Sequence, residues 1–275
     1  MPELTPNYDY DSEVLVKAYQ KAIDDILREL ERMDLSEFSR ANQLATLKSV
    51  GEILNGLNKE AGELAKLSIE KAAKDGVINA IISLGVVETV AEAENIVAFN
   101  RVNKELVKAV VADTQKDLLA CSLNVDKKIR ATVQKVSAEV MRNNLTRGIN
   151  ATATLRRDIT AELRKQLGEA VNTGIIDAAG RKWRPEKYVN VLVRSKMMEA
   201  HKEATVNEAL SREVLYGIIS KHGAKDACAK WEGKVVKFTR GAPGDYPFIG
   251  DLPKNEIFHP FCRHLITPKR KPERV

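Results

Sequence analysis

Apolar positions in the first third of the chain recur at helical intervals. Leu15, Tyr19, Ala22, Ile26, Leu30 and Met33 are spaced 4-3-4-4-3. That is one face of a helix, with Asp24, Asp25, Arg28 and Glu31 mostly elsewhere. Asp34 and Glu37 have the spacing of a helix cap and its partner at the third helical position. The helix they open carries Leu47, Val50, Leu54, Leu57, Ala61 and Leu64 on one face. Two heptad-like helices joined near Asp34 predict a helical hairpin over 14–75, its faces packed on each other or on another subunit. Gly76 reads as a break, followed by a short apolar helix or connector over 77–87 that ends near Gly85.

Thr89 and Glu92 repeat the capping pattern. The spacing then predicts a helix from Val90 to about Ala120, with Phe99, Val102, Leu106, Ala109 and Val110 inward. Asp126 reads as the cap of another, with Ile129, Val133, Val136 and Val140 on one face. Leu155, Ile159, Leu163 and Leu167 repeat every four residues in a further helix. From Gly168 the texture changes. Gly174, Gly180 and Trp183-Arg184-Pro185 look like a linker or the rim of a second domain. Pro185 suits the first turn of a helix running to about Leu210. Short β-like runs follow at Val214–Ser220, Lys234–Thr239 and Leu265–Thr267. The Gly-Pro-rich stretch Gly241–Pro253 reads as loop.

The expected fold is mainly α: an elongated helical region over 1–170, with the hairpin at 14–75 and basic helices over 89–168, then a small α+β domain over 171–268. Residues 269–275 form a basic tail.

Composition narrows the classes. An apolar fraction of 44% and a charged fraction of 30% are those of a globular chain. No apolar run approaches the roughly 20 residues that cross a bilayer, so no membrane partner is expected. Residues 1–10 lack the basic-then-apolar pattern of a secretory leader. Three cysteines are too few for a disulfide scaffold.

Charge is distributed unevenly. Residues 1–100 hold 10 Lys+Arg against 18 Asp+Glu, a balance of −8, whereas 101–275 hold 34 against 20, a balance of +14. The densest basic stretch runs from Lys127 to Lys165. It contains Lys127, Lys128, Arg130, Lys135, Arg142, Arg147, Arg156, Arg157, Arg164 and Lys165, with only Glu139, Asp158 and Glu162 opposing. It has no aromatic residue on which an unpaired base would stack. The pattern fits either a solvated helix face or phosphate contacts on double-stranded DNA without sequence readout.

Chemistry-bearing residues gather near the C-terminal end. All four histidines and two of the three cysteines lie in the last 75 positions. Cys228, Cys262 and one or two of His259 and His264 have the donor types of a tetrahedral zinc site, though not the CxxC spacing. A Cys228–Cys262 disulfide, or free thiols in a packed turn, fits the same residues. Cys262 with either histidine also has the residue types of a nucleophile and base. No phosphate loop, dinucleotide fingerprint or HExxH motif is present. Cys121 falls in the apolar pattern of a helix and reads as core.

The order Asp226-x-Cys228-x-x-Trp231-x-Gly233, then His259-Pro260-x-Cys262-Arg263-His264 and Pro268, resembles the C-terminal signature of tailed-phage minor capsid (minor head) proteins. That group comprises the phage minor capsid protein 2 family and the related Mu F-like head proteins. Gly180, Trp183, Tyr188-Val189-Asn190 and Val193-Arg194-Ser195 are similar too, so the resemblance covers about residues 170–268. The family often has Asn where this chain has Phe261.

The resemblance implies a structural, non-enzymatic virion protein associated with the portal inside the capsid after assembly in the host cytoplasm. Its partners would be portal and other head proteins, packaged DNA and further copies of itself. Its work would be head morphogenesis or DNA delivery. An enzyme or toxin-like domain using the Cys/His cluster, and a cellular non-specific DNA-binding helical protein, are the competing readings.

Overall fold

The structure, a computed structural model, describes residues 6–32, 40–147, 161–162, 165–173, 175–177 and 179–272. The chain is mainly α with a small α+β C-terminal region, as the sequence predicts. Its helices are α1 (Asp9–Glu31), α2 (Arg40–Ser83), α3 (Val90–Ile96), α4 (Arg101–Arg147), α5 (residues 165–172) and α6 (Pro185–Ser211). Its strands are β1 (Ile175–Ile176), β2 (Lys182–Trp183), β3 (Tyr216–Ile219), β4 (Val235–Lys237) and β5 (Ile266–Lys269).

The chain divides into two compact units whose boundaries fall inside helices rather than near residue 170. One holds Met1–Ser12, Ala65–Thr114 and Val191–Val275; the other holds Glu13–Leu64 and Gln115–Asn190. The linear division expected from composition is therefore not the division by compactness. The physical reason is helix length. At 44 and 47 residues, α2 and α4 each supply side chains to both cores.

In the unit formed by Glu13–Leu64 and Gln115–Asn190, the heptad-like faces are buried as expected. Leu15, Tyr19, Ala22, Ile26 and Leu30 of α1 are core, as are Leu47, Val50, Leu54, Leu57 and Ala61 of α2. These faces are used within the unit. The Tyr19 hydroxyl donates to the Leu118 carbonyl of α4 at 3.3 Å. Gln115 of α4 donates to Gly62 O at 3.1 Å, and Arg130 to Leu47 O at 3.3 Å. Cys121 is core, as predicted. The expected cap at Asp34 and Glu37, and Met33, lie outside the described residues.

Three helix boundaries differ from expectation. Gly76 is no break, because α2 runs through it to Ser83. The helix stops two residues later at Gly85, where Gly85 N donates to Ile82 O and Val86 N to Ile81 O. The predicted helix 90–120 is split. Thr89 and Glu92 form the expected capping box on α3, but α3 ends at Ile96 and α4 restarts at Arg101. Asn100 makes the new start, its side chain accepting from Asn103 N at 2.8 Å. The inward face of α4 is accordingly Asn103, Val107, Thr114 and Leu118, while Val102 is 56% exposed. Asp126 caps nothing. It sits mid-helix and binds Arg130 Nε at 2.7 Å.

In the other unit, α6 packs on the C-terminal part of α2. A methyl group on Gly76 would lie 2.2 Å from His201 O, so only glycine permits this approach. Thr205 Oγ donates to Gly76 O at 3.0 Å across the same contact. β3 is the centre of a three-stranded antiparallel sheet in the order β4-β3-β5, with Gly217 opposite Val236 and Pro268. Asn79 of α2 donates to Ile266 O of β5 at 3.1 Å. The core beneath the sheet joins Val206, Ala209, Ile219, Val236, Phe238, Leu252, Ile257, Ile266 and both Cys228 and Cys262. Pro185 opens α6, and the three β-runs form strands where expected. Lys269 belongs to β5 rather than to a tail. The β1–β2 hairpin, which belongs to the unit of Glu13–Leu64 and Gln115–Asn190, was not foreseen. Asp177 organises it, accepting from Arg181 N at 2.9 Å and Trp183 Nε1 at 2.9 Å.

Candidate functional site

The C-terminal signature residues converge around the short helical turn Ala227–Trp231. Asp226 caps that turn, its carboxylate accepting from Cys228 N at 3.0 Å. This orients Cys228 inward, where it is buried. Trp231 Nε1 donates to Glu256 at 3.2 Å, and the Lys234 ammonium lies 4.6 Å from the Trp231 ring centre. Gly233 takes φ 73° as the chain turns into β4. The second half of the signature enters from the loop before β5. Cys262 N donates to His259 O at 2.9 Å, closing a tight turn. Phe258 and Phe261 flank this turn with φ 57° and 65°, left-handed conformations that bulky side chains rarely adopt. Asn tolerates that region better than Phe, which gives Asn at position 261 in the family a physical reason. Here the Arg194 guanidinium lies 5.2 Å from the Phe261 ring centre.

The four expected donors fall in two overlapping trios that share Cys228. Cys228 Sγ lies 2.9 Å from His259 Nε2 and 3.7 Å from Cys262 Sγ. Cys262 Sγ lies 3.3 Å from His264 Nδ1. The ligand atoms of Cys228, Cys262 and His264 all fall within 4.8 Å of one another. His259 forms a second such trio with Cys228 and Asp226, whose carboxylate is 3.4 Å from His259 Nε2.

Sequence reasoning missed His222 and Glu232. Glu232 Oε1 accepts from His222 N at 2.9 Å and Ala224 N at 3.0 Å, and contacts His264 Nε2 at 3.3 Å. The His222 ring packs 4.2 Å from that of His264, centre to centre. Glu232 stands directly between Trp231 and Gly233 of the signature, and that position was the one available clue. Pro260 and Arg263 are exposed at the rim.

The electrostatics bear on chemistry. Backbone N–H donation from Ala224 and His222 holds the Glu232 carboxyl down at about 2. Burial, then the neighbouring His222, lowers His264. Burial, then Cys262, pushes the Cys228 thiol up to about 12. A nucleophilic cysteine requires a lowered pKa, so this environment works against thiolate catalysis at Cys228. The cluster borders a cavity of about 950 Å³ that is also lined by Arg194, Lys202 and Lys254.

Residues 143–269 match the family model of phage minor capsid protein 2. The matched segment is similar to that family. No curated protein and no solved structure matches the chain. The matched segment contains the whole Cys/His signature and the sheet that carries it. The family supports a structural role in a phage head, with other head proteins as partners and the virion as location. Among the described residues, no helix is long and apolar enough to cross a membrane.

The basic stretch is placed only in part. Lys127, Lys135, Arg142 and Lys165 are exposed. Lys128 and Arg130 are engaged within their own unit, Lys128 with the Thr173 carbonyl and Arg130 with Asp126 and Leu47. Burial lowers the Lys128 ammonium, followed by the charge of Lys182. Arg156, Arg157, Arg164 and the side chain of Arg147 lie outside the described residues.

Proposed function

We propose that this chain is a minor head protein at the portal vertex inside the capsid. There it contacts portal protein and the phosphates of packaged double-stranded DNA, and assists head morphogenesis or DNA delivery. It would assemble in the host cytoplasm. The observation that carries the reading is the family match over 143–269. Charge supports it: residues 101–275 carry a balance of +14, and Lys127, Lys135 and Arg142 are exposed along α4. Contacts of that kind neutralise phosphates and release counterions, so affinity depends on salt rather than on base sequence.

Two measurements test it. Gel-shift titrations of the purified chain on duplex DNA at several salt concentrations should give a steep salt dependence and no sequence preference. Lys127→Ala, Lys135→Ala and Arg142→Ala should each lower the log–log slope by about one unit. No binding at low salt, or a strong preference for one sequence, would remove DNA from the proposal. For the portal, heads assembled with and without portal protein are compared by immunoblot. Equal incorporation of the chain in both would overturn the portal assignment.

A further inference from the structure

We propose that Cys228, His259, Cys262 and His264 bind one zinc ion that pins the turn Ala227–Trp231 to the segment leading into β5. This goes beyond the head-protein reading and does not depend on it.

Both sulfurs are buried and 3.7 Å apart. Two Zn–S bonds of about 2.3 Å at the tetrahedral angle separate their sulfurs by about 3.8 Å. Each sulfur faces one imidazole nitrogen, Cys228 facing His259 Nε2 and Cys262 facing His264 Nδ1. The opposite nitrogen of each ring is already engaged outward. His259 Nδ1 lies 2.8 Å from Pro260 O, and His264 Nε2 lies 3.3 Å from Glu232 Oε1. A carbonyl and an ionised carboxylate only accept, so those outer nitrogens carry the protons. The inner nitrogen of His264 then presents a lone pair to Cys262 Sγ, while His259 Nε2 lies between Cys228 Sγ and the Asp226 carboxylate, which the metal would displace from it. Outward donation to a carbonyl or carboxylate is how metal-bound histidines are oriented.

Donor softness selects the metal. Two thiols with two imidazoles suit zinc and not magnesium or calcium. The second carboxylate-containing trio, His222, Glu232 and His264, competes for His264. Its His222 is exposed, and Glu232 is already occupied by two backbone N–H groups. That leaves His264 Nδ1 for the sulfurs and Glu232 as the group that orients the ring. Binding replaces the two thiol protons by the metal, releasing both to solvent, with no change of oxidation state.

The full chain is purified without chelator, and its metal content is measured by mass spectrometry. About one zinc ion per chain is expected, retained on dialysis. Cys228→Ser and Cys262→Ser should lose it, and Cys121→Ser should keep it. Titration of metal-free wild-type chain with cobalt(II) should produce thiolate-to-metal charge-transfer absorption and the intense visible bands of a tetrahedral site. This readout decides the matter even if the cysteine variants fail to fold. The proposal is overturned if the wild-type chain carries no zinc and cobalt gives no such spectrum. An intact mass lower by two hydrogens would assign Cys228 and Cys262 to a disulfide. Three free thiols with a melting temperature unmoved by metal would leave them as hydrogen-bonded thiols.

Discussion

Gly76→Ala should destabilise the chain, although glycine inside a helix is ordinarily the poorer residue. Gly76 lies within α2, seven residues before its end at Ser83. In an unhindered helix, alanine there would stabilise by about 1 kcal/mol. The added methyl would stand 2.2 Å from His201 O and 3.0 and 3.1 Å from the carbonyl carbon and Cα of His201. Backbone of α6 cannot swing aside as a side-chain tip can. The same carbonyl accepts from Thr205 Oγ at 2.9 Å, and Thr205 also binds Gly76 O. Forced separation therefore costs packing and the buried Thr205–Gly76 hydrogen bond, since the Thr205–His201 bond is internal to α6. Overpacking costs about 1–3 kcal/mol, and the one lost bond adds about 1 kcal/mol, so the net destabilisation is about 2 kcal/mol after the helix gain of about 1 kcal/mol. In a chain of this size that lowers the melting temperature by about 4–8 °C. Gly56→Ala is the internal control, on the same helix with nothing within 4 Å of its added carbon. It should stabilise by about 0.5–1 kcal/mol. Thermal unfolding followed by circular dichroism at 222 nm compares the two. Equal or higher stability of Gly76→Ala would refute the close-packing argument, as would a larger loss at Gly56.

Burial holds His201 down at about 4, so it stays neutral when folded and takes up a proton near 6.5 when unfolded. Its contribution is present above about pH 6.5 and is lost as pH falls towards 4, by up to about 3 kcal/mol. Asp75, raised by burial, acts in the opposite direction at lower pH. His201→Gln should flatten the melting-temperature profile between pH 4.5 and 6.5, and an unchanged profile would remove His201 as its cause. Phe261→Asn should be neutral to stabilising by up to about 1 kcal/mol, because relief of the left-handed backbone outweighs loss of the Arg194 contact. Urea unfolding measures it, and a loss above that size would show that the Phe261 ring holds the turn.

Much of the fold was legible because burial imposes a period. The faces Leu15–Leu30 and Leu47–Ala61 alternate at 3.6 residues, and they are core. The three strands were legible because β-branched runs lie between turn residues. What escaped were features set by contacts distant in sequence. Gly76 looked like a breaker because its reason for being glycine is His201, 125 positions away. The break before Arg101 rests on one Asn100 side chain, and Asn100 lies inside an apolar pattern that continues across it. The faces of α4 were misjudged for the same reason, since the restart resets the register. At the site, residue types picked out Cys228, His259, Cys262 and His264, which the fold places near one another. Glu232 was missed because a carboxylate between Trp231 and Gly233 reads as surface until His222 and Ala224 are folded against it.

The loop between β4 and β5 explains why such a cluster is needed. It runs from Phe238 to Leu265, and besides Cys262 its fully buried anchors in the core are Phe238, Leu252 and Ile257, with Ile249 and Phe258 partly buried against them. Its ion pairs are exposed ones. Arg240 grips Asp251 with two bonds of 2.6 Å, and Lys230 meets Glu256 at 2.5 Å. Exposed pairs of this kind contribute about 0–1 kcal/mol each. The sheet adds little more, because β3 and β5 have four residues apiece and β4 has three. The segment that must be held is also strained, with Phe258 and Phe261 both left-handed. Such conformations cost about 1–3 kcal/mol each and persist only where the surroundings fix them. Weak ion pairs and these anchors are a poor match for that strain. The buried contacts among Cys228, His259, Cys262 and His264 lie at the strained turn itself and, with Arg194 on Phe261 and Lys202 on Phe258, are positioned to hold it.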